Sequence, residues 1–268
     1  MIELFEKERR TLNRRSSKGN QLKFERDGIW YKADYLGYEG LAEYTVSKLL
    51  ACSTLRESEY VAYEPEEILY NGQVFRGCKS RDFTEGWQLI TLERLFQQTC
   101  GKGLNSTIHC LENHTDRLKM LADQAERITG IRGFRVYLQK MLTIDTLFLN
   151  EDRHTHNIAV MTNERHEYRL APFFDHGACL LSDTMLDYPL NQDCLQLLHK
   201  AKPKTFCQDF EEQMDISEEL YGNQLKFNFG YNEVKAIVDR ADMYPPEIRQ
   251  RVTDLVMARR RSYEYLFL

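Results

Sequence analysis

The sequence predicts an α+β fold in two unequal parts: a small antiparallel sheet carrying one helix, then a mainly helical region. The first part rests on two hairpin signals. Asp27-Gly28 interrupts the alternating stretch "QLKFERDGIWYKADY", and Asn71-Gly72 interrupts "EEILYNGQVFRGCKS". Asp-Gly and Asn-Gly tolerate the left-handed backbone that a two-residue hairpin turn requires. The second part rests on helical apolar spacing, which dominates from about residue 105 onward.

Between the hairpins, "GLAEYTVSKLLACS" sets Leu41, Val46, Leu49 and Leu50 at helical spacing, so one helix packs on the sheet. The stretch Trp87 to Leu95 marks the passage between the parts, giving a small lobe over residues 1–90 and a large lobe over 91–268. "NSTIHCLENHTDRLKMLADQAERITG" is expected as one helix, with Asn, Ser and Thr as cap candidates and Gly130 as its stop. "FRVYLQKMLTIDTLFL" is a more apolar helix and is expected to be buried. Two further helices lie near "FCQDFEEQMDISEELYG" and "NEVKAIVDRAD". The last starts at Pro245-Pro246 and carries Ile248, Val252, Leu255 and Val256 on one face. The hexapeptide "GNQLKF" occurs at 19–24 and 222–227, but the flanks share nothing and it reads as coincidence.

Composition narrows the function. The 268 residues are 42% hydrophobic and 29% charged, an ordinary globular balance with enough apolar mass for a sizeable core. A net charge of -5 offers no general basic surface for nucleic acid. The N-terminal "MIELFEKERRTLNRR" lacks the apolar segment of a secretory signal, and no run approaches the ~18 to 20 apolar residues of a membrane span. The seven cysteines are scattered, odd in number and without a C-x-x-C pair, which fits reduced thiols in a cytoplasmic protein.

The chemistry concentrates in "LNEDRHTHNIAV", which follows the apolar helix. Asp152 and Asn157 stand five residues apart, a strand-like run follows, and "YRLAPFFDHG" then ends in Asp175-His176-Gly177. Phosphoryl transfer from a nucleotide needs a carboxylate to accept the nucleophile's proton and hard oxygen ligands for Mg²⁺. Asp152, Asn157 and Asp175 supply those oxygens. Matching parts lie upstream in the required order. "RRSSKGNQ" can cover phosphates, Lys32 in "GIWYKADY" can reach them, and Glu43 in the following helix can hold that lysine. No single part is specific; the ordered set is.

"EDRHTHNIAV" followed by "FFDHG" resembles the catalytic and metal-binding loops of the atypical kinases. The D-R-H-x-x-N form is close to that of phosphoinositide 3- and 4-kinases, and D-x-H-x-x-N is shared by HipA-type serine/threonine kinases. "SSKGNQLKF" and "LAEYTVSKLL" resemble the HipA-type phosphate loop and paired-glutamate helix. The resemblance runs in order from about Ser16 to Ser182 and is weak in the last 80 residues or so. It implies a protein-kinase-like two-lobe fold and ATP- and Mg²⁺-dependent transfer to Ser or Thr of a protein, first on the enzyme itself. It further implies Asp152 as catalytic base, His154 as a brace of that loop, and Asn157 and Asp175 on Mg²⁺. Lys32 is implied on the ATP phosphates, held by Glu43, with Ser16, Ser17, Lys18 and Gly19 over them. It also implies a toxin–antitoxin setting, with a translation component as substrate and an antitoxin or regulatory partner chain. Three departures stand out. The phosphate loop begins near residue 16, where HipA-type proteins carry a further N-terminal subdomain, so that part is missing or supplied by another chain. Asp-His-Gly replaces Asp-Phe-Gly. Asn150-Glu151 replaces the His-Arg of common protein kinases, so no activation loop docks through that Arg.

Other readings stand beside this one. Asp152, Asn157 and Asp175 could form an ordinary polar turn, Lys32 a plain strand lysine and Glu43 a solvated helix residue. His154 and His156, with His166 or His176, could hold zinc or iron. A lipid kinase would need a basic segment after Asp175, yet "HGACLLSDTMLDYPLNQDC" has three Asp and no Lys or Arg. A small-molecule kinase and a non-catalytic binding module remain. Trp87 could line the adenine pocket or simply pack, and Arg259–Arg261 read as a solvated helix face.

Overall fold

A computed structural model describes residues 1–10 and 21–268, so Ser16, Ser17, Lys18 and Gly19 lie outside the described residues. The chain opens with β1 (Ile2–Glu3), β2 (Lys23–Arg26) and β3 (Ile29–Ala33), followed by helix α1 (Glu39–Leu50). Strands β4 (Glu64–Tyr70) and β5 (Gln73–Arg81) complete a five-stranded sheet in the order β1-β4-β5-β3-β2. The pairs β2–β3, β3–β5 and β4–β5 are antiparallel, while β1 adds in parallel to β4, an addition its two residues do not announce in sequence. Both hairpin turns take the expected left-handed form, with φ of 52° and 74° at Asp27 and Gly28 and 52° and 76° at Asn71 and Gly72.

The helical part begins with a strand. β6 (Gln88–Thr91) leads directly into α2 (Leu92–Cys100), whose N-cap is Thr91. The stretch expected as one helix is two: α3 (Leu104–His109) and α4 (His114–Thr129). The break has a physical cause. Asn113 accepts hydrogen bonds from the Thr115 and Asp116 amides at 2.7 and 3.2 Å and so starts a new helix, while Asn105, Ser106 and Thr107 lie inside α3. Gly130 stops α4 at φ 70°, as expected.

α5 (Phe134–Phe148) is the buried helix and ends at Leu149 with φ 59°. β7 (Ala159–Thr162) pairs with β6 and with β8 (Tyr168–Leu170), giving the sheet β6-β7-β8. β8 ends at Leu170, five residues short of Asp175, so the Asp175-His176-Gly177 stretch expected at the end of a strand is loop. Then come α6 (Cys194–Leu197), α7 (Phe210–Tyr221), α8 (Tyr231–Asp239) and α9 (Pro246–Ser262).

One apolar core runs from α1 through α5 to α9, including Leu41, Leu49, Leu142, Phe148, Val252 and Leu255. Helix α1 is therefore packed on the sheet and on the C-terminal helices at once. Tyr38 donates to the Leu180 carbonyl at 2.6 Å, and Tyr44 donates to that of Ile237 at 3.2 Å. The basic run at the end of α9 is not a solvated face. Arg259 is buried and donates to the Thr146 carbonyl at 2.9 Å, Arg260 donates to that of Phe229 at 2.9 Å, and Arg261 alone is exposed. The seven cysteines are all free. Among the described residues, no helix is long and apolar enough to cross a membrane.

Candidate active site

The pleat of β3 divides its side chains. Tyr31 and Ala33 enter a small core with Phe24, Ile68 and Tyr70, which turns Lys32 to the other face. There Lys32 meets α1. Gly40 allows that helix to come close, since a Cβ there would sit 2.5 Å from the Gly77 carbonyl carbon of β5, and Gly77 in turn lies against β3, where a Cβ would sit 2.1 Å from the Lys32 carbonyl oxygen. One turn beyond Gly40, Glu43 is buried and accepts a hydrogen bond from the Lys32 ammonium. Lys32 also donates to Asp175 Oδ1 at 2.8 Å, across 143 residues of chain, and lies 5.2 Å from the Tyr63 ring centre.

The charges in this cluster are set by burial against pairing. Burial alone would lower the Lys32 ammonium, but Asp175 and Glu43 raise it well above its ordinary value. Burial likewise pushes Asp175 upward, yet Lys32 foremost, with Lys23 and Arg153 behind it, holds it well below the carboxylate range. Glu43 is raised by burial, with Lys32 opposing and Asp175 reinforcing. Lys32 is thus a cation clamped between two acids.

The second half of the site is the loop after α5. Asn157 donates from its amide nitrogen to the Asp152 carbonyl at 2.8 Å and to Asp152 Oδ2 at 3.0 Å, closing the loop on itself. His154 stands beside Asp152, but its Nε2 is 3.7 Å from Oδ1, beyond hydrogen-bond reach. Asp175 has φ 62°, a left-handed conformation that Asp tolerates better than most residues, and its side chain keeps 29% of its surface exposed.

The donor set suits a hard cation. Asn157 commits its nitrogen inward, which leaves its amide oxygen for a ligand, and Asp175 adds a partly exposed carboxylate. Mg²⁺ asks for one or two protein carboxylates beside phosphate and water oxygens. Zinc asks for three or four nitrogen or sulfur ligands. Among the described residues no group of three His, Cys, Asp or Glu could hold a metal ion. His154 and His156 meet edge to face at 5.3 Å, and buried His176 is held neutral, its imidazole pushed well below the usual range by burial and then by Arg153.

Several residues of the site were not singled out from sequence. Arg153 is 2% exposed and ties the loops together. It donates to Asp145 of α5 from Nε at 3.0 Å, and from Nη1 to the carbonyls of Asn157 at 3.0 Å and Phe174 at 3.2 Å. Asp145 was the available signal: a lone carboxylate inside an apolar helix needs a buried cation. Asp34 is another. It accepts from the Gly40 amide at 2.6 Å and from the Tyr244 hydroxyl at 2.8 Å, tying the start of α1 to the residue pair before α9. Lys204 places its ammonium 3.9 Å from Asp152 Oδ1. Trp87, which the sequence did single out as a pocket-lining or packing residue, has the Arg169 guanidinium over its ring at 4.4 Å.

No protein-family model matches the chain, and no curated protein matches it. Among solved structures it is similar to the crystal structure of a Helicobacter pylori proinflammatory kinase, CtkA. The likeness has a TM-score of 0.62 and covers 97% of this chain and 94% of that chain, at 15% sequence identity. It shows the fold: a kinase-like two-lobe α+β architecture.

Proposed function

We propose that this chain is a phosphotransferase that moves the γ-phosphoryl group of ATP to a hydroxyl, with Ser or Thr of a protein as acceptor in the manner of HipA-type kinases. The clamping of Lys32 between Glu43 and Asp175, with Arg153 bridging the Asn157 carbonyl to that of Phe174 beside Asp175, carries the reading. Chain-distant residues of the types that chemistry needs come together at one place in a kinase-like fold.

In this reading Lys32 binds the ATP phosphates and Glu43 fixes its position. Asp152 orients the acceptor hydroxyl and takes its proton as the new P–O bond forms and the bond to the departing ADP oxygen breaks. Asn157 and Asp175 hold Mg²⁺, which neutralises phosphate charge when bound. Arg153 keeps the two loops in register through the Asn157 and Phe174 carbonyls. Ser16 and Ser17 are the proposed sites of self-phosphorylation, where about two added negative charges would oppose nucleotide binding.

The test is the intact mass of the purified chain with and without Mg-ATP, beside Asp152→Asn and Asp175→Asn. A mass gain of one phosphate or more in the wild type alone is expected, with peptide mapping to locate it. If the wild type neither gains phosphate nor carries it as purified, and consumes no ATP with protein, lipid or small-molecule acceptors, the phosphotransferase reading fails.

A further inference from the structure

Resting on the phosphotransferase reading, we propose that the segment Lys200–Lys204 is the acceptor track of this site. It would take an extended peptide with acidic side chains at alternate positions beside the hydroxyl presented to Asp152. The segment alternates strictly. Lys200, Lys202 and Lys204 are exposed, while Ala201, Pro203 and Thr205 are buried. The inward residues and the backbone fasten it to the catalytic loop: the Thr205 hydroxyl donates to the Arg153 carbonyl at 2.6 Å, and the Lys202 amide donates to Glu151 Oε1 at 3.2 Å. The outward residues are therefore three lysines in succession, and the ammonium of the last, Lys204, lies 3.9 Å from Asp152 Oδ1.

That row lacks internal compensation. Among the described residues neither Lys200 nor Lys202 has an acidic partner, and residues 11–20 contain no Asp or Glu that could provide one. A chain of net charge -5 thus keeps two lysines without acidic partners, Lys200 and Lys202, in the segment that leads to Lys204 and Asp152. Lys200 closes a short 3-10 helix (Leu198–Lys200) and Ala201 after it is extended, at φ -68° and ψ 132°, so Lys200 and Lys202 are spaced like alternate residues of an extended acceptor, ~6.6 Å. Acidic residues two and four positions from the acceptor Ser or Thr would lie along the lysines. Such contacts govern partner choice and encounter rate more than raw affinity.

The experiment is fluorescence anisotropy at low salt, with the whole protein and labelled Ser peptides bearing Glu at two and four positions on one side or the other, each beside its Gln counterpart. Binding is expected to be about 10-fold tighter for one Glu peptide than for its Gln counterpart, a difference lost in Lys200→Glu/Lys202→Glu and weakened by salt. Lys200→Gln/Lys202→Gln, with an unchanged melting temperature, separates lost charge from lost fold. Equal binding of Glu and Gln peptides overturns the proposal, and so does a preference that survives charge reversal. Lysine-dependent binding to phosphatidylserine and phosphoinositide vesicles in place of the peptides also overturns it and assigns the row to a membrane. Binding needs no turnover, so the two readings fail separately. An acidic peptide bound but never phosphorylated leaves the track and removes the kinase, whereas transfer without acidic preference does the reverse.

Discussion

Replacing Arg153 by Met tests how the two loops are held. Arg153 and Asp145 are 2% and 1% exposed, so water cannot substitute for either. Burial pushes the Asp145 carboxyl up and Arg153 pulls it back. Loss of the guanidinium would leave a buried carboxylate with the Asn150 amide, at 2.9 Å, as its remaining side-chain donor. Breaking a buried pair costs roughly 3–5 kcal/mol, and the two deprived carbonyls add about 1 kcal/mol each. Arg153→Met should therefore lose about 5–7 kcal/mol, a large part of the ~5–15 kcal/mol that a domain has. Asp145→Asn/Arg153→Met removes both charges and should recover most of that loss. Urea unfolding followed by tryptophan fluorescence reads both. The double variant should fold yet transfer phosphate poorly, because the bridge between the Asn157 and Phe174 carbonyls stays broken. A single variant that loses less than about 1 kcal/mol would refute the electrostatic reasoning. A stable double variant with full activity would refute the positioning role.

Two further outcomes follow from buried titratable groups. Burial, and then Glu39, raises the Asp34 carboxyl from its ordinary 3.8 to about 7, against the Gly40 amide, Tyr244 and Arg76. Between those two pH values the folded chain holds a proton that the unfolded chain has lost. Stability therefore falls as pH rises through this window, by roughly 4 kcal/mol once complete. Asp34→Asn should flatten that dependence and be the more stable protein at pH 8; melting curves parallel to wild type from pH 5 to 8 would contradict this. Burial, and then Arg153, pushes the His176 imidazole well below its ordinary 6.5, so the unfolded chain binds a proton that the fold excludes and stability falls as pH drops below about 6.5. His176→Leu should lose less stability than wild type between pH 7 and 5 in the same urea assay, and a fall equal to that of wild type would contradict this.

Local features of the fold were legible because they are decided within a few residues. Asp27-Gly28 and Asn71-Gly72 turn for steric reasons that any sequence window contains. The apolar faces of α1, α5 and α9 follow from helical period. The 105–130 stretch misled for an equally local reason: Asn113 competes as a cap inside a continuous apolar pattern. β6 was missed because Gln88–Thr91 becomes a strand only by pairing with β7, some seventy residues later.

By itself the sequence determined the residue types, their order and the turns and helices that carry them. Lys32, Glu43, Asp152, Asn157 and Asp175 could be named, since phosphoryl-transfer chemistry restricts which side chains can serve and in what order. Only the tertiary structure decided which atoms meet. It brought Lys32 to Asp175 across 143 residues, Tyr244 to Asp34 across 210, and Lys204 to Asp152. These closures carry no local signature. Each is imposed by the packing of α1 and α5 into one core, where a buried charge must find its partner or destabilise the fold.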